Sequence, residues 1–534
     1  MCEVTVENFD TIFSDIKCSF NKAKFITIDT EFSALNFSEK VSNSLFDTPK
    51  ERYQKLRTLC EQIIPMQIGI SAFAFDAENN SYEVDMYTFY VFPKKFHDMN
   101  SMFVFQSSSL QFLCTYNFDF NKFIYKGIPY INRLQETEIR NFQNALLENN
   151  ICLDDNIFDR LIQEEGTKIT KWLNNDKESK KLILNGVYNK YRHSPDILYF
   201  FYKHIRNRFN KQLWVMEENG EIVIKRVSPN EYNTLVKENN LEEGALDNML
   251  GFTKIFRLLT HLRKPIVGHN LLTDIMIMYH RFENPLPKSY NSFKKEIYNL
   301  FPIIYDTKCI TFDVKKLIPE NKMWEHNILE VLYNYFKGGY GRHLALNSPH
   351  ISLKIQPIHD QFHNAGWDSY CTGYIFIRMA HIFATKKFSM KSKFMCSELF
   401  ASIDSQKNCV NVIRCSVSHI KLDGDDPVSQ RPPYLIIESV KDKPLDLLEI
   451  SGQLSSYGFV EIRPYSRSGH RAIVAVDNFT SARQILRRYK KHDEFQVKQY
   501  SLIKHSTTVR AAMWGGVLTF GTILGCLTYS LLKK

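Results

Sequence analysis

The chain has 534 residues, 44% hydrophobic and 24% charged, which excludes a disordered or fibrous protein and leaves room for two to four domains. Its net charge of +10 suits a polyanionic partner such as RNA, or an anionic membrane surface, although a basic solubility bias gives the same balance. Eleven cysteines without a Cys-x-x-Cys pair exclude a disulfide framework and a zinc spacing, and point to a reduced cytosolic or nuclear setting.

Residues 1–10 are acidic and lack an apolar run, so no signal peptide is expected. Residues 7–19 read as an amphipathic helix. It leads into Phe25-Ile-Thr-Ile-Asp-Thr-Glu-Phe32, a β-branched and aromatic strand ending in two carboxylates. On a strand, residues i and i+2 share a face roughly 7 Å apart, so Asp29 and Glu31 aim at one point. Such a pair alone is more often a solvated turn than a metal site. Residues 63–75 and 82–92 read as further strands. Helical patterns follow at 106–120 and 136–149.

From 151 to about 245 the texture is helical and highly charged, with a hairpin around Asn219-Gly220, and reads as an insertion domain. It carries the basic aromatic run Tyr199-Phe-Phe-Tyr-Lys-His-Ile-Arg-Asn-Arg-Phe209. RNA contact by stacking and phosphate pairing is one reading; a packed helix with a basic outer face is the other. The sheet pattern resumes at Pro265-Ile-Val-Gly-His-Asn270. A helix with Asp274 near its start follows, then a short strand ending at Asp306. Residues 361–384 give a loop and a helix with Cys371, Ile375, Met379 and Ile382 on one face. Residues 406–505 contain a β-α-β-β-α-β order, the ferredoxin-like arrangement of RNA-recognition motifs. Residues 511–532 hold no charge and would form a helix about 33 Å long. Trp514 and Tyr529 lie near its ends, Gly521 and Gly525 form a small-xxx-small step, and Lys533 and Lys534 close the chain. With no later domain to bury it, a transmembrane tail anchor is expected rather than a core helix.

The acids line up as Asp29, Glu31, Asp274 and Asp368, each at a strand end or near a helix start, with His363 five residues before the last. Four carboxylates in one place repel each other unless a cation neutralises them. Two Mg²⁺ ions about 4 Å apart would do so, and hard oxygens suit Mg²⁺ or Mn²⁺ rather than Zn²⁺. Five residues turn a helix by about 140°, so His363 belongs in the loop before the helix, with Gly366 allowing the bend. There it is placed to act as a general base.

Asp29-x-Glu31, Asp274 and His363-x-x-x-x-Asp368 resemble the motif set of DEDDh 3′→5′ exonucleases. Longer stretches are similar to the poly(A)-specific ribonuclease (PARN) branch: Asp29-Thr-Glu-Phe-Ser33, Phe118-Asp-Phe-Asn-Lys122 with Gly127-Ile-Pro-Tyr130, Val267-Gly-His-Asn270, Asp306-Thr-Lys308 and His363-Asn-Ala-Gly-Trp-Asp368. The resemblance covers about residues 20–135 and 250–385. With the tail, it narrows to the membrane-anchored members that trim piRNA precursors. It implies an α/β, RNase H-like exonuclease core in two parts (1–150 and 246–405). Asp29, Glu31, Asp274 and Asp368 would be the metal ligands, His363 the general base and Asp306 a supporting residue. It also implies single-stranded RNA with a free 3′ end as substrate, presented bound to PIWI by a Tudor–KH adaptor. The address would be the cytosolic face of the mitochondrial outer membrane, with the endoplasmic reticulum as the rival. Two departures stand out. The insertion has no Arg-x-x-x-His, and Arg471-Ala-Ile-Val-Ala-Val476 lacks the aromatics that stack bases, with no tryptophan between Tyr434 and Tyr500. An mRNA deadenylase and a catalytically silent membrane-tethered RNA-binding scaffold are the competing readings. The complete set of five residues speaks against the second.

Overall fold

A computed structural model of the chain describes residues 2–35, 41–149, 156–175, 179–192, 194–209, 212–344, 347–355, 362–388, 393–441, 443–465, 468–506, 508–515, 519 and 521–523. Its strands are, in order, β1 (Cys2–Val4), β2 (Phe25–Phe32), β3 (Pro65–Asp76), β4 (Ser81–Tyr90), β5 (Lys181–Leu184), β6 (Leu213–Glu218), β7 (Glu221–Arg226), β8 (Ile266–Gly268), β9 (Ile304–Asp306), β10 (His350–Leu353), β11 (Cys409–Asn411), β12 (His419–Lys421), β13 (Leu435–Ser439), β14 (Val460–Pro464), β15 (Arg471–Val476) and β16 (Phe495–Gln499). The chain divides into two compact units. The first comprises Met1–Ser42, Tyr53–Asn411 and His419–Asp425; the second comprises Asn43–Arg52, Val412–Ser418 and Asp426–Lys534.

The first unit is built on a mixed sheet of order β1-β4-β3-β2-β8-β9, with β10 also paired to β4. Only β3 runs against its neighbours, so β2, β4, β8 and β9 all end at the same edge. One face of this sheet carries the helix Ala365–Phe388, buried along nearly its whole first five turns. A helix that is apolar all round belongs in a core. Phe25 of β2 lies against Phe376 of that helix and stacks on Phe73 of β3, with ring centroids 5.1 and 4.6 Å apart.

The insertion segment forms its own cluster around the three-stranded sheet β5-β7-β6. The hairpin turns at Asn219-Gly220, both with positive φ. The aromatic run falls on the helix Pro195–Arg208, where Tyr199, Phe200, Phe201, Ile205 and Arg206 are buried, so packing accounts for its aromatic residues. The second unit contains the four-stranded sheet β14-β15-β13-β16 with helices Leu447–Ser455 and Phe479–Arg488, the ferredoxin-like order.

The expected tail anchor at 511–532 lies mostly outside the described residues. Among the described residues, no helix is long and apolar enough to cross a membrane. All nine described cysteines are free thiols.

Candidate active site

Alternation along β2 sets Phe25, Thr27, Asp29 and Glu31 on the face that meets the helix Ala365–Phe388. Their partners on β3 are Phe73, Ser71, Gly69 and Gln67. Each of the last three fastens the start of the helix. The Thr27 hydroxyl donates to the Ser369 carbonyl at 2.7 Å, and the Ser71 and Ser369 hydroxyls share a hydrogen bond of 2.7 Å. The Ala365 N–H donates to Gln67 Oε1 at 2.9 Å. Gly69 lets the helix backbone come down onto β3, because a Cβ there would sit 1.7 Å from the Ala365 carbonyl oxygen. Asp368, in the first turn, is thereby brought over Asp29 and Glu31.

His363 precedes the helix, as expected. The bend is made differently: His363 itself adopts φ +64°, the left-handed region, while Gly366 already lies in the helix. Gly366 is needed for space, since a Cβ would stand 2.0 Å from Thr88 Oγ1. The turn directs the His363 N–H to Asp368 Oδ2 at 3.1 Å. Asn364 closes it, its Oδ1 accepting from the Gly366 N–H at 3.1 Å. A ligand atom from each of Glu31, His363 and Asp368 lies within 4.8 Å of the others.

Asp274 is the third residue of the helix Leu272–Met278, which starts just past the end of β8. Asp306 sets the loop before it. Fully buried, it accepts the N–H groups of Asn270, Leu271, Lys308 and Asn411 at 2.9–3.0 Å. With both oxygens engaged, Asp306 is an internal brace.

The four acids share an electrostatic problem. Burial pushes Asp29 up to about 7. Burial and then the Asp29 charge push Glu31 up to about 8. Asp274 and Asp368 are held well above the carboxylate range, first by burial and then by Asp29. Among the described residues, none of the four is ion-paired to Lys or Arg. A crowded, recessed set of hard oxygens without a basic partner fits divalent cations. Burial also lowers the His363 imidazole, favouring its neutral, proton-accepting form.

Two aromatics that sequence reasoning did not single out flank that imidazole. The rings of Phe112 and Tyr116 lie 4.6 and 4.0 Å from it, and both residues are 43% exposed. Gln67, Gly69 and Ser71 were also passed over. Their signal was present: polar or small residues at every second position of an otherwise apolar strand.

A mixed sheet with acids converging at the ends of β2 and β8 and at the start of one long helix defines an α/β nuclease core of the RNase H-like class. Residues 4–376 match the family described as "CAF1 family ribonuclease". The chain is 32% identical over 547 residues to the "Pre-piRNA 3'-exonuclease trimmer" of Bombyx mori, covering 100% of this chain and 99% of that protein. It is 30% identical over 505 residues to human "Poly(A)-specific ribonuclease PNLDC1", covering 91% and 93%. With human "Poly(A)-specific ribonuclease PARN" the figure is 28% over 492 residues, covering 86% and 74%. Among solved structures, S. pombe Pop2p in its "Mg2+ and Mn2+ bound form" overlaps 73% of this chain and 93% of that one at 14% identity and a TM-score of 0.35, too loose to build on. The chain belongs to the CAF1 ribonuclease family, in its PARN-like branch. It is a hydrolytic 3′→5′ exoribonuclease.

Proposed function

We propose that this exoribonuclease trims the 3′ ends of piRNA precursors held by PIWI proteins, with Asp29, Glu31, Asp274 and Asp368 as ligands for two Mg²⁺ ions. The observation that carries the reading is that Glu31 and Asp368 meet beside His363, with the Asp29 charge acting on Glu31, Asp274 and Asp368, and that among the described residues none of these acids has a basic partner. When bound, the ions supply Lewis acidity to the scissile phosphate and its nucleophile; Mn²⁺ suits the same oxygens. His363 takes the proton of the attacking water, its backbone held by the left-handed turn and by the N–H bond to Asp368, and its ring packed by Phe112 and Tyr116. Phe112 and Tyr116 offer exposed rings beside that base, suited to stacking the terminal nucleotides of a single strand.

The choice of piRNA precursors over mRNA tails is supported by the likeness to the silkworm trimming enzyme, which runs the full length of both proteins. The uncharged run 511–532, closed by Lys533 and Lys534, is the ground for reading a tail anchor, and with it the proposal takes in a cytosol-facing site on the mitochondrial outer membrane and a Tudor–KH adaptor that presents the RNA. The test is to incubate the full-length protein in detergent with 5′-labelled RNA and Mg²⁺, with and without a PIWI-bound precursor and adaptor. Stepwise shortening that requires a free 3′ hydroxyl, and that is stimulated by the presented form, is expected. Equal cutting of a circular RNA would make the enzyme an endonuclease. Activity confined to oligoadenylate 3′ ends would make it a deadenylase. In cells, a chain ending at Arg510 should become diffuse and trim poorly while still cutting naked RNA.

A further inference from the structure

The insertion segment builds a groove that the exonuclease site does not use. Its floor is the outer face of β6 and β7. Leu213, Val215, Ile222 and Ile224 turn into the insertion's own core, so alternation turns Trp214, Met216 and Lys225 the other way. One wall is the helix Pro195–Arg208, on which Leu198, Tyr202 and Arg206 recur every four residues along one face. The helix Leu241–Leu250 supplies Gly244, and Lys94, Ile128 and Pro129 come from the stretch around β4. The cavity measures about 1130 Å³. That is above the roughly 300–1,000 Å³ of small-ligand pockets and leaves room for a run of peptide. None of its lining residues belongs to the acid cluster or to His363.

Arg206 is the group that the fold leaves unfinished. It is 9% exposed, and its guanidinium lies 3.6 Å over the Trp214 ring. Its Nη2 donates to the Val215 carbonyl at 3.2 Å, while its Nε is buried without a partner. Nη1 has no partner in the chain either and is not sealed off as Nε is, so it is open to the groove. Among the described residues, no carboxylate pairs with Arg206. Lys94 on the same groove also lacks one, its ammonium lying 5.2 Å from the Phe92 ring. Burial lowers the pKa of both cations. A cation withdrawn from water without a counter-charge is costly, and a carboxylate brought into the groove would relieve that cost.

The remaining charges limit what can bring it. Lys254 is paired with Asp247, Lys225 with Glu218 and Arg140 with Glu243. Glu7, Asp10, Glu231 and Glu238 also line the groove. A nucleic-acid strand, charged at every phosphate, would meet repulsion here, whereas a single acid among apolar side chains would not. We propose that the groove is the docking site for an extended peptide segment of a protein partner, which lays apolar side chains against Leu198, Tyr202 and Met216 and sets one carboxylate on the Arg206 guanidinium.

A random peptide library displayed on phage, selected on the full-length protein in detergent, tests it. Two variants are the controls. Arg206→Leu removes the cation. Gly244→Trp fills the groove without disturbing its walls, since a Cβ at Gly244 meets nothing within 4 Å, and it serves if Arg206→Leu does not fold. Selected peptides should carry one Asp or Glu among apolar residues. By fluorescence polarisation, each variant should weaken their binding by about 30-fold or more, the usual loss when one partner of a buried charge pair is removed. Trimming of naked RNA by Gly244→Trp should match the wild type. Selection of no peptide, or of peptides that bind both variants as they bind the wild type, would overturn the proposal. Peptides weakened by Gly244→Trp but indifferent to Arg206→Leu would refute the carboxylate pairing. Displacement of a bound peptide by single-stranded RNA would make the groove an RNA surface instead.

Discussion

The Cα of Gly69 faces the carbonyl of Ala365 so closely that a methyl group would meet its oxygen at 1.7 Å. This contact sets the height of the long helix above the sheet. Asp29, paired with Gly69 across the strands, and Asp368, one turn into the helix, come together because of it. Gly69→Ala should therefore force the helix start away from β3. A loss of about 10²-fold or more in trimming rate is expected, with a destabilisation of roughly 1–3 kcal/mol. Single-turnover trimming and a denaturant melt check it; wild-type rates would show that the helix relaxes without moving Asp368.

Removing a charge from the acid cluster should separate activity from stability. Asp29→Asn and Asp368→Asn keep the shape of the side chain and relieve repulsion among buried carboxylates. Mg²⁺-dependent trimming should fall by more than about 10³-fold. The melting temperature in EDTA should stay level or rise. A variant that melts as the wild type and trims at near-normal rate would remove that residue from the site.

Cation binding should depend on pH in a definite sense. The raised acids, Asp29 at about 7 and Glu31 at about 8, are perturbed upward from ordinary carboxylate values near 4. A folded-state value above the unfolded one gives stability that is complete below about pH 4 and is lost as pH rises through the folded values. In EDTA, this set should therefore weaken the fold between about pH 5 and 8. Mg²⁺ must displace the same protons, so its stabilising effect should be small near pH 6 and larger near pH 8. Thermal melts with and without Mg²⁺ across that range check it. An equal Mg²⁺ shift at both ends would contradict the assignment of these acids as ligands.

His363→Ala should cost roughly 10²- to 10⁴-fold in rate, the usual worth of a general base. The deficit should narrow at high pH, where hydroxide replaces the missing acceptor. A rate profile parallel to the wild type's would take His363 out of that role.

Tyr116→Ala and Phe112→Ala should act mainly on RNA affinity. Each stacked base is worth about 1–3 kcal/mol, so KM should rise several-fold or more. Because both rings also touch His363, a smaller fall in kcat should accompany it. Unchanged KM for both would mean that the rings serve only to pack the histidine.

Much of this was legible along the chain because it is encoded locally. The alternation of β2, its terminal carboxylates, Asp274 near a helix start and the β-α-β-β-α-β order of the last domain all follow from patterns that span ten residues or so. The sequence also carried two readings of residues 199–209, and only burial chose between them. The bend before Asp368 was assigned to the residue with the freest backbone, Gly366. The chain instead places His363 in the left-handed region and keeps Gly366 for close packing on Thr88.

The sequence by itself determined which chemical groups this protein has for its site and the order in which they come: four acids, one histidine, and the strands and helices that carry them. The tertiary structure decided that they meet. Gln67 and Ala365 are 298 residues apart in the chain and share one hydrogen bond. Side-chain periodicity reports which face a residue takes, but not which distant element will cover that face. That choice is made by packing, where a missing methyl group at Gly69 and a hydroxyl pair at Ser71 and Ser369 set the distance between two carboxylates.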